Sequence, residues 1–178
     1  MKSCCIWMVL AIVCLFYGCG EKILPSVSSS VDSQTLPQQE SWNSTITVSD
    51  SGRISAIILA GYIRVTELSH QTEMSQGVKV RFFNRDGKQT SILTSDEGTV
   101  DETNDNLEAR KNVIVVSSDS SRMKTEKLFW DNQRQLIYTP EYVHIATVKE
   151  KLQGHGFESD QSLKNYRIFQ VTGQTQAE

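Results

Sequence analysis

Hydrophobic and polar residues alternate along much of the chain beyond residue 42, in short runs that turn residues separate. In the run Val-Lys-Val-Arg-Phe at residues 78–82, for example, every second residue is apolar and the others are charged. A period of two places the apolar side chains on one face of a β-strand and the charged ones on the other. The run Val113–Val116 is apolar throughout, which predicts a strand in the middle of the sheet.

Segments of this kind follow one another about every 8–12 residues, as in all-β proteins. No segment has the pattern of an amphipathic helix. The strands predicted in this way are Trp42–Ser49, Arg53–Gly61, Tyr62–Glu67, Val78–Asn84, Gln89–Ser95, Gly98–Asp101, Leu107–Ala109, Val113–Ser117, Arg122–Trp130, Gln135–Thr139, Tyr142–Ala146, Lys151–Gly156 and Leu163–Val171.

Turn sequences between these segments predict that consecutive strands pair antiparallel. They are Asp50–Gly52, Arg85–Lys88, Ser118–Ser121 and Asp131–Arg134, all rich in residues that tolerate positive φ or bond to their own backbone. Residues 107–115 also align with residues 137–145, a repeat of about 30 residues. An array of similar hairpins grows in one direction and ends in open strand edges, to which another chain can add a strand.

The first nineteen residues form a separate apolar segment that contains all four cysteines. Cys19 follows Gly18 at the end of the apolar run, which predicts an export signal that ends in a lipid-attachment cysteine. The alternative is an uncleaved membrane helix over Cys4–Gly20. Either interpretation gives a signal or anchor at 1–19, a flexible Ser-, Gln- and Pro-containing linker at 20–41, a β-domain at 42–173 and a polar tail at 174–178.

The composition argues against several classes of function. The formal net charge is −3 and the basic residues are scattered singly along the sequence, so we expect no nucleic-acid partner and only apolar contact with lipid. His70, His144 and His155 have no metal-ligand spacing, and no G-x-S-x-G nucleophile motif occurs. The acidic segment 101–106 is predicted as a solvated hairpin turn. We therefore expect a protein that is not an enzyme, without cofactor or metal.

Several motifs, in their order and spacing, resemble those of the LptC family, the membrane-anchored periplasmic component of the lipopolysaccharide-export ABC transporter. The resemblance covers about residues 40–173. It implies an open-ended, twisted, V-shaped antiparallel β-jellyroll of the OstA/LptA-like superfamily. The segments that carry it are 78–87, 93–98, 107–113, 125–131, 142–145 and 152–160.

The resemblance also implies a function at the periplasmic face of the inner membrane, where an N-terminal lipid or helix holds the chain. The family takes lipopolysaccharide from the transporter's membrane subunits into an apolar groove and passes it to a soluble bridge protein of the same fold. Alternating apolar positions give the expected groove lining: Val80, Phe82, Leu93, Val100, Leu107, Val113, Val115, Met123, Leu136, Val143, Ile145 and Leu152.

Docking residues are expected on the first and the last strand. The transporter would contact Trp42, Ile46 and Val48, and the bridge protein would add a strand beside Ile168, Phe169, Gln170 and Val171. Two alternatives remain open: a soluble bridging member of the same superfamily, and an unrelated β-sandwich lipoprotein that acts as a glycan-binding or adhesion module. A closed sandwich without open ends would favour the second.

Overall fold

The computed structural model describes residues 39–66 and 70–176, and nearly all of them lie in β-strands. In this part of the chain there is no helix long and apolar enough to cross a membrane. The predicted signal or anchor, with Cys19, lies outside the described residues. The strands are β1 (Gln39–Asp50), β2 (Arg53–Thr66), β3 (Gln71–Phe83), β4 (Gln89–Ser95), β5 (Glu97–Asp101), β6 (Asn106–Ser117), β7 (Arg122–Asp131), β8 (Leu136–Ala146), β9 (Glu150–Asp160) and β10 (Tyr166–Gln176).

All ten strands belong to one antiparallel sheet in which neighbours in sequence are mostly neighbours in space. The order is β1-β2-β3-β4-β6-β7-β8-β9-β10, and the short β5 pairs with the ends of β3 and β6 that β4 does not reach. The predicted turns join consecutive strands as expected. The predicted fold class, an all-β antiparallel jellyroll, is confirmed.

The strands are longer and fewer than the sequence predicts, because bulges interrupt the alternation without ending a strand. Arg53–Gly61 and Tyr62–Glu67 were expected as separate strands, yet β2 runs from Arg53 to Thr66 with a register shift at Gly61. A Cβ atom on Gly61 would lie 2.5 Å from the carbonyl oxygen of Gln76, so only glycine allows this close approach.

The repeat of about 30 residues corresponds to two equivalent bulges. In β6 the register shifts between Arg110 and Val113, and in β8 it shifts between Thr139 and Tyr142. Each bulge divides one long strand into the two shorter runs that the sequence predicts. The repeat is therefore a repeat of kinked strands.

The predicted last strand, Leu163–Val171, is displaced along the chain. Leu163 adopts φ +58 in the turn after β9 and is buried, so that β10 begins only at Tyr166 and continues to Gln176. At the other end, β1 begins at Gln39, before the predicted start at Trp42. Both end strands thus extend beyond the predicted ranges.

Candidate functional site

A row of apolar side chains crosses the sheet from β1 to β9. Residues that pair directly across neighbouring strands carry their side chains on the same face. We call the face that carries the buried residues the core face and the opposite one the outer face. On the core face the successive direct partners are Ile46, Ile58, Val80, Leu93, Val115, Met123, Ile145 and Leu152, which we call the apolar row; Gln174 of β10 follows Leu152.

The apolar row is closed to solvent along its middle and more open at its ends. Val80, Val115 and Met123 are 0% exposed, whereas Ile46 at one end and Leu152 at the other are only partly buried and pack against the core. The row is therefore continuous with the hydrophobic core and reaches the surface beside both end strands. All eight side chains of the row are apolar.

The residues predicted to line the groove lie almost entirely on the core face. Six of them belong to the apolar row: Val80, Leu93, Val115, Met123, Ile145 and Leu152. Phe82, Val100, Leu107, Val113 and Val143 are buried in the same core.

Leu136 is the exception among the predicted lining residues. It is only partly buried, and it precedes the fully buried Ile137 in β8. Because adjacent side chains in a strand point to opposite faces, Leu136 lies on the outer face. The sequence also missed Ile58, because the run Ile-Ile-Leu-Ala at residues 57–60 has no alternation from which a face could be chosen.

The residues predicted to dock partners lie on the two end strands of the sheet. Within the described residues, β1 pairs only with β2 and β10 pairs only with β9. Each therefore leaves one row of backbone N–H and C=O groups without a neighbouring strand.

On β1, Trp42 is 60% exposed and packs against Tyr62, so this predicted docking residue does not belong to the core. Ile46 is partly buried, and Val48 is buried. On β10, Ile168 is partly buried and packs against the core. The other predicted docking residues of this strand, Phe169, Gln170 and Val171, are exposed.

On the outer face, the strand register gathers basic residues that are far apart in sequence. Arg122, Lys124, His144 and Lys151 line a cavity of about 700 Å³ at β7, β8, β9 and β10. Basic residues that are scattered singly along the sequence thus become neighbours in this part of the sheet. Alternation within one strand shows which face a residue occupies, but only the pairing of strands shows which residues become neighbours.

A second cavity, of about 600 Å³, is rich in aromatic side chains. The rings of Phe129 and Tyr138 stack with their centroids 5.2 Å apart, and Phe157 and Phe169 also line the cavity. Phe169 and Gln170, two of the predicted bridge-docking residues, thus border a depression on β7–β10. The sequence did not predict this grouping, because its aromatic residues are widely spaced.

The histidines do not form a metal site. In the described part of the chain, no group of three or more His, Cys, Asp or Glu residues could hold a metal ion. His144 and His155 instead contact the ring of Tyr142 edge-on, at centroid distances of 5.0 and 4.8 Å.

The acidic segment 101–106 joins β5 to β6 as a turn, as predicted. The Asp101 carboxylate accepts hydrogen bonds from the hydroxyl and the backbone N–H of Thr103, which lower its pKa. This carboxylate therefore organises the turn.

Comparison with known proteins gave one informative match. The family model described as "Lipopolysaccharide-assembly, LptC-related" matches residues 5–176, nearly the whole chain. No curated protein matches the sequence. The family match spans both the described sheet and most of the N-terminal segment that precedes it.

Proposed function

The chain belongs to the LptC family, a family of lipopolysaccharide-transport components, and from this premise we propose that it binds lipopolysaccharide by its acyl chains along the apolar row. It accepts the lipid from the inner-membrane transporter and passes it to the periplasmic bridge protein. The protein acts by binding, without a chemical step. The observation that carries this proposal is the uninterrupted course of the apolar row from β1 to β9.

The physical reason for such a row is the cost of exposing lipid to water. Each methylene group removed from water contributes about 0.8 kcal/mol, so several long acyl chains cannot cross an aqueous compartment unshielded. A continuous apolar surface lowers this cost at every position along the path.

Loading begins at the ends of the row. The middle, for example Val115 and Met123, is 0% exposed, so acyl chains must separate packed side chains to reach it. At Ile46 and Leu152 the row is already partly open. An acyl chain that enters at one end replaces side-chain contacts by lipid contacts of similar apolar character.

The two end strands provide the junctions with partner proteins. The free edge of β10, beside the exposed Phe169 and Gln170, pairs with a strand of the bridge protein, and the free edge of β1 faces the transporter. Main-chain hydrogen bonds at these edges extend the sheet from one protein to the next. On β10 the core continues through Ile168, which packs against it, so that an apolar path can reach the junction with the bridge protein.

The family's location, periplasmic and membrane-anchored, supports proposed roles for the segments outside the sheet. Residues 1–19 attach the chain to the inner membrane, by a lipid on Cys19 or as an uncleaved helix, and residues 20–41 connect this anchor to the β-domain. The alternative, a β-sandwich lipoprotein that binds glycans or mediates adhesion, has less support. Its expected closed sandwich differs from a sheet in which β1 and β10 each have one neighbour in the described residues.

A lipid-retention experiment tests the proposal. The full-length chain, purified in mild detergent, should retain lipopolysaccharide, and Leu152→Asn should lose it because an amide without hydrogen-bond partners in an apolar site is costly. Val148→Asn is the matched control, because Val148 is 75% exposed in the adjoining β8–β9 turn. Equal retention by the two variants, both folded, would contradict the role of the row.

A further inference from the structure

Four groups that carry or can carry positive charge line one cavity near the start of β7, the end of β8 and the start of β9. Arg122 pairs with Ala146, which pairs with Lys151, and Lys124 pairs directly with His144. The four side chains therefore stand on adjacent strands, on one face, around the cavity of about 700 Å³. No aspartate or glutamate lines this cavity.

The three permanent cations of the cavity have no anionic partner in the described residues. No carboxylate oxygen there lies within 4 Å of Arg122, Lys124 or Lys151. Some other cations of the sheet, in contrast, have anionic partners: Lys111 lies 2.7 Å from Glu97, and Lys127 lies 3.3 Å from Glu108. Like charges placed close together without counter-charges raise one another's free energy, and an anionic ligand relieves this repulsion.

The carboxylate that comes nearest along β9 is already engaged. Glu150, next to Lys151, accepts a hydrogen bond from the Tyr166 hydroxyl at 2.8 Å and another from the Gln174 amide at 3.1 Å. Gln174 itself lines the cavity. Glu150 thus holds Gln174 in the cavity wall by a hydrogen bond and forms no ion pair with the three cations.

The cavity also has an apolar side that belongs to the apolar row. Ile145 and Leu152 line it together with the basic residues, and Leu152 is the partly open end of the row. A ligand that satisfies both sides has an anionic group joined to a hydrocarbon chain. We propose that this cavity binds the phosphate groups of a lipid headgroup while the attached acyl chains occupy the apolar row at Leu152, at the end next to β10.

This inference rests on the proposed function and adds a headgroup site to it. An arginine guanidinium binds phosphate through two parallel hydrogen bonds, and lysine supplies a mobile point charge, so Arg122, Lys124 and Lys151 together match a phosphate in both geometry and charge. Placing the headgroup here fixes the end of the row at which the acyl chains lie before the lipid passes to the bridge protein. The basic side chains lie at the surface, where the hydrated phosphates can remain in water.

The test uses the full-length chain in detergent and three probes: lipopolysaccharide, the same lipid with its phosphates removed enzymatically, and inorganic phosphate. The triple variant Arg122→Gln, Lys124→Gln, Lys151→Gln should bind phosphorylated lipid at least tenfold more weakly than wild type and the dephosphorylated lipid equally well. The matched control Arg85→Gln, Lys88→Gln, Lys164→Gln makes the same change in charge at exposed turn residues and should bind like wild type.

A salt titration of the wild-type chain provides a second test that needs no variant. Binding of the phosphorylated lipid should weaken as salt rises, while binding of the dephosphorylated lipid should not. Identical salt dependence for the two lipids would overturn the proposal. A second contradicting result would be that the chain binds the two lipids equally well but binds inorganic phosphate at millimolar concentration. The cavity would then be a site for free phosphate.

The variants distinguish failure of this inference from failure of the proposed function. If the triple variant binds phosphorylated lipid as tightly as wild type while Leu152→Asn loses both lipids, the headgroup site is wrong and the apolar row stands. If Leu152→Asn and the triple variant both bind both lipids like wild type, both proposals are wrong.

Discussion

Phe82 and Trp130 meet edge to face in the core, with their ring centroids 5.0 Å apart and their planes at 67°. Phe82 lies on β3 and Trp130 on β7, two strands that share no backbone hydrogen bonds. Both side chains are at most 1% exposed. The contact therefore spans the core and joins parts of the sheet that strand pairing alone does not connect.

Removal of this contact should destabilise the protein strongly. Phe82→Ala is expected to lower the free energy of unfolding by about 3–5 kcal/mol, because it removes a buried ring and leaves a cavity. Phe169→Ala, at a side chain that is 59% exposed, should change it by less than about 0.5 kcal/mol. Urea unfolding monitored by tryptophan fluorescence measures both, and similar values for the two variants would contradict the packing described here.

The fold could be predicted where alternation is regular, and the site only in part. Val80 and Phe82 alternate with charged residues, which is sufficient to assign their face, whereas Ile58 lies in a run that is apolar on both faces. Bulges caused the errors in strand length, because a bulge such as that at Gly61 depends on the partner strand. The basic cavity depends on the register of β7, β8 and β9, which no single strand encodes.

The stability of the protein should fall in acid, in part through Asp160. Burial opposes ionisation of this carboxyl, but hydrogen bonds from the Ser162 hydroxyl at 2.7 Å and the Asn165 amide at 2.6 Å, with backbone N–H groups, outweigh it and hold its pKa below the ordinary 3.8. A lowered native pKa gives stability that is present above the unfolded pKa and is lost as pH falls through the native pKa.

Urea midpoints measured from about pH 6 to about pH 2 should therefore decline less for Asp160→Asn than for wild type. Some decline should remain in the variant, because hydrogen bonds from Thr103 and from Ser117, respectively, lower the pKa values of Asp101 and Asp119 as well. If the urea midpoint of Asp160→Asn falls with pH as much as that of wild type, the Asp160 hydrogen bonds do not contribute to the loss of stability in acid.

The two forms of the anchor predict different N-termini. If Cys19 is lipidated, metabolic labelling with a fatty-acid probe should tag the wild-type protein and leave Cys19→Ser unlabelled. The mature chain would then begin at Cys19. Absence of label from both proteins, with Met1 at the N-terminus of the membrane form, would show that the anchor is the uncleaved helix.

Docking of the bridge protein at β10 can be tested with proline. Successive residues of a strand direct their N–H groups to opposite edges, so either Phe169 or Gln170 donates toward the free edge. Proline at that position removes the donor that the incoming strand needs. Whichever of Phe169→Pro and Gln170→Pro removes the outward donor should thus abolish capture of the bridge protein. The melting temperature of that variant should stay near the wild-type value. Normal capture by both folded variants would show that the partner binds elsewhere.

The most direct test of the central claim compares two adjacent valines during active transport. Val115 belongs to the apolar row and is 0% exposed, whereas Val116 is partly exposed on the outer face of the same strand. A photoreactive residue at position 115 should crosslink to lipopolysaccharide when the transporter is supplied with ATP, and the same residue at position 116 should not. Equal crosslinking at the two positions, or crosslinking only at position 116, would contradict transport along the apolar row.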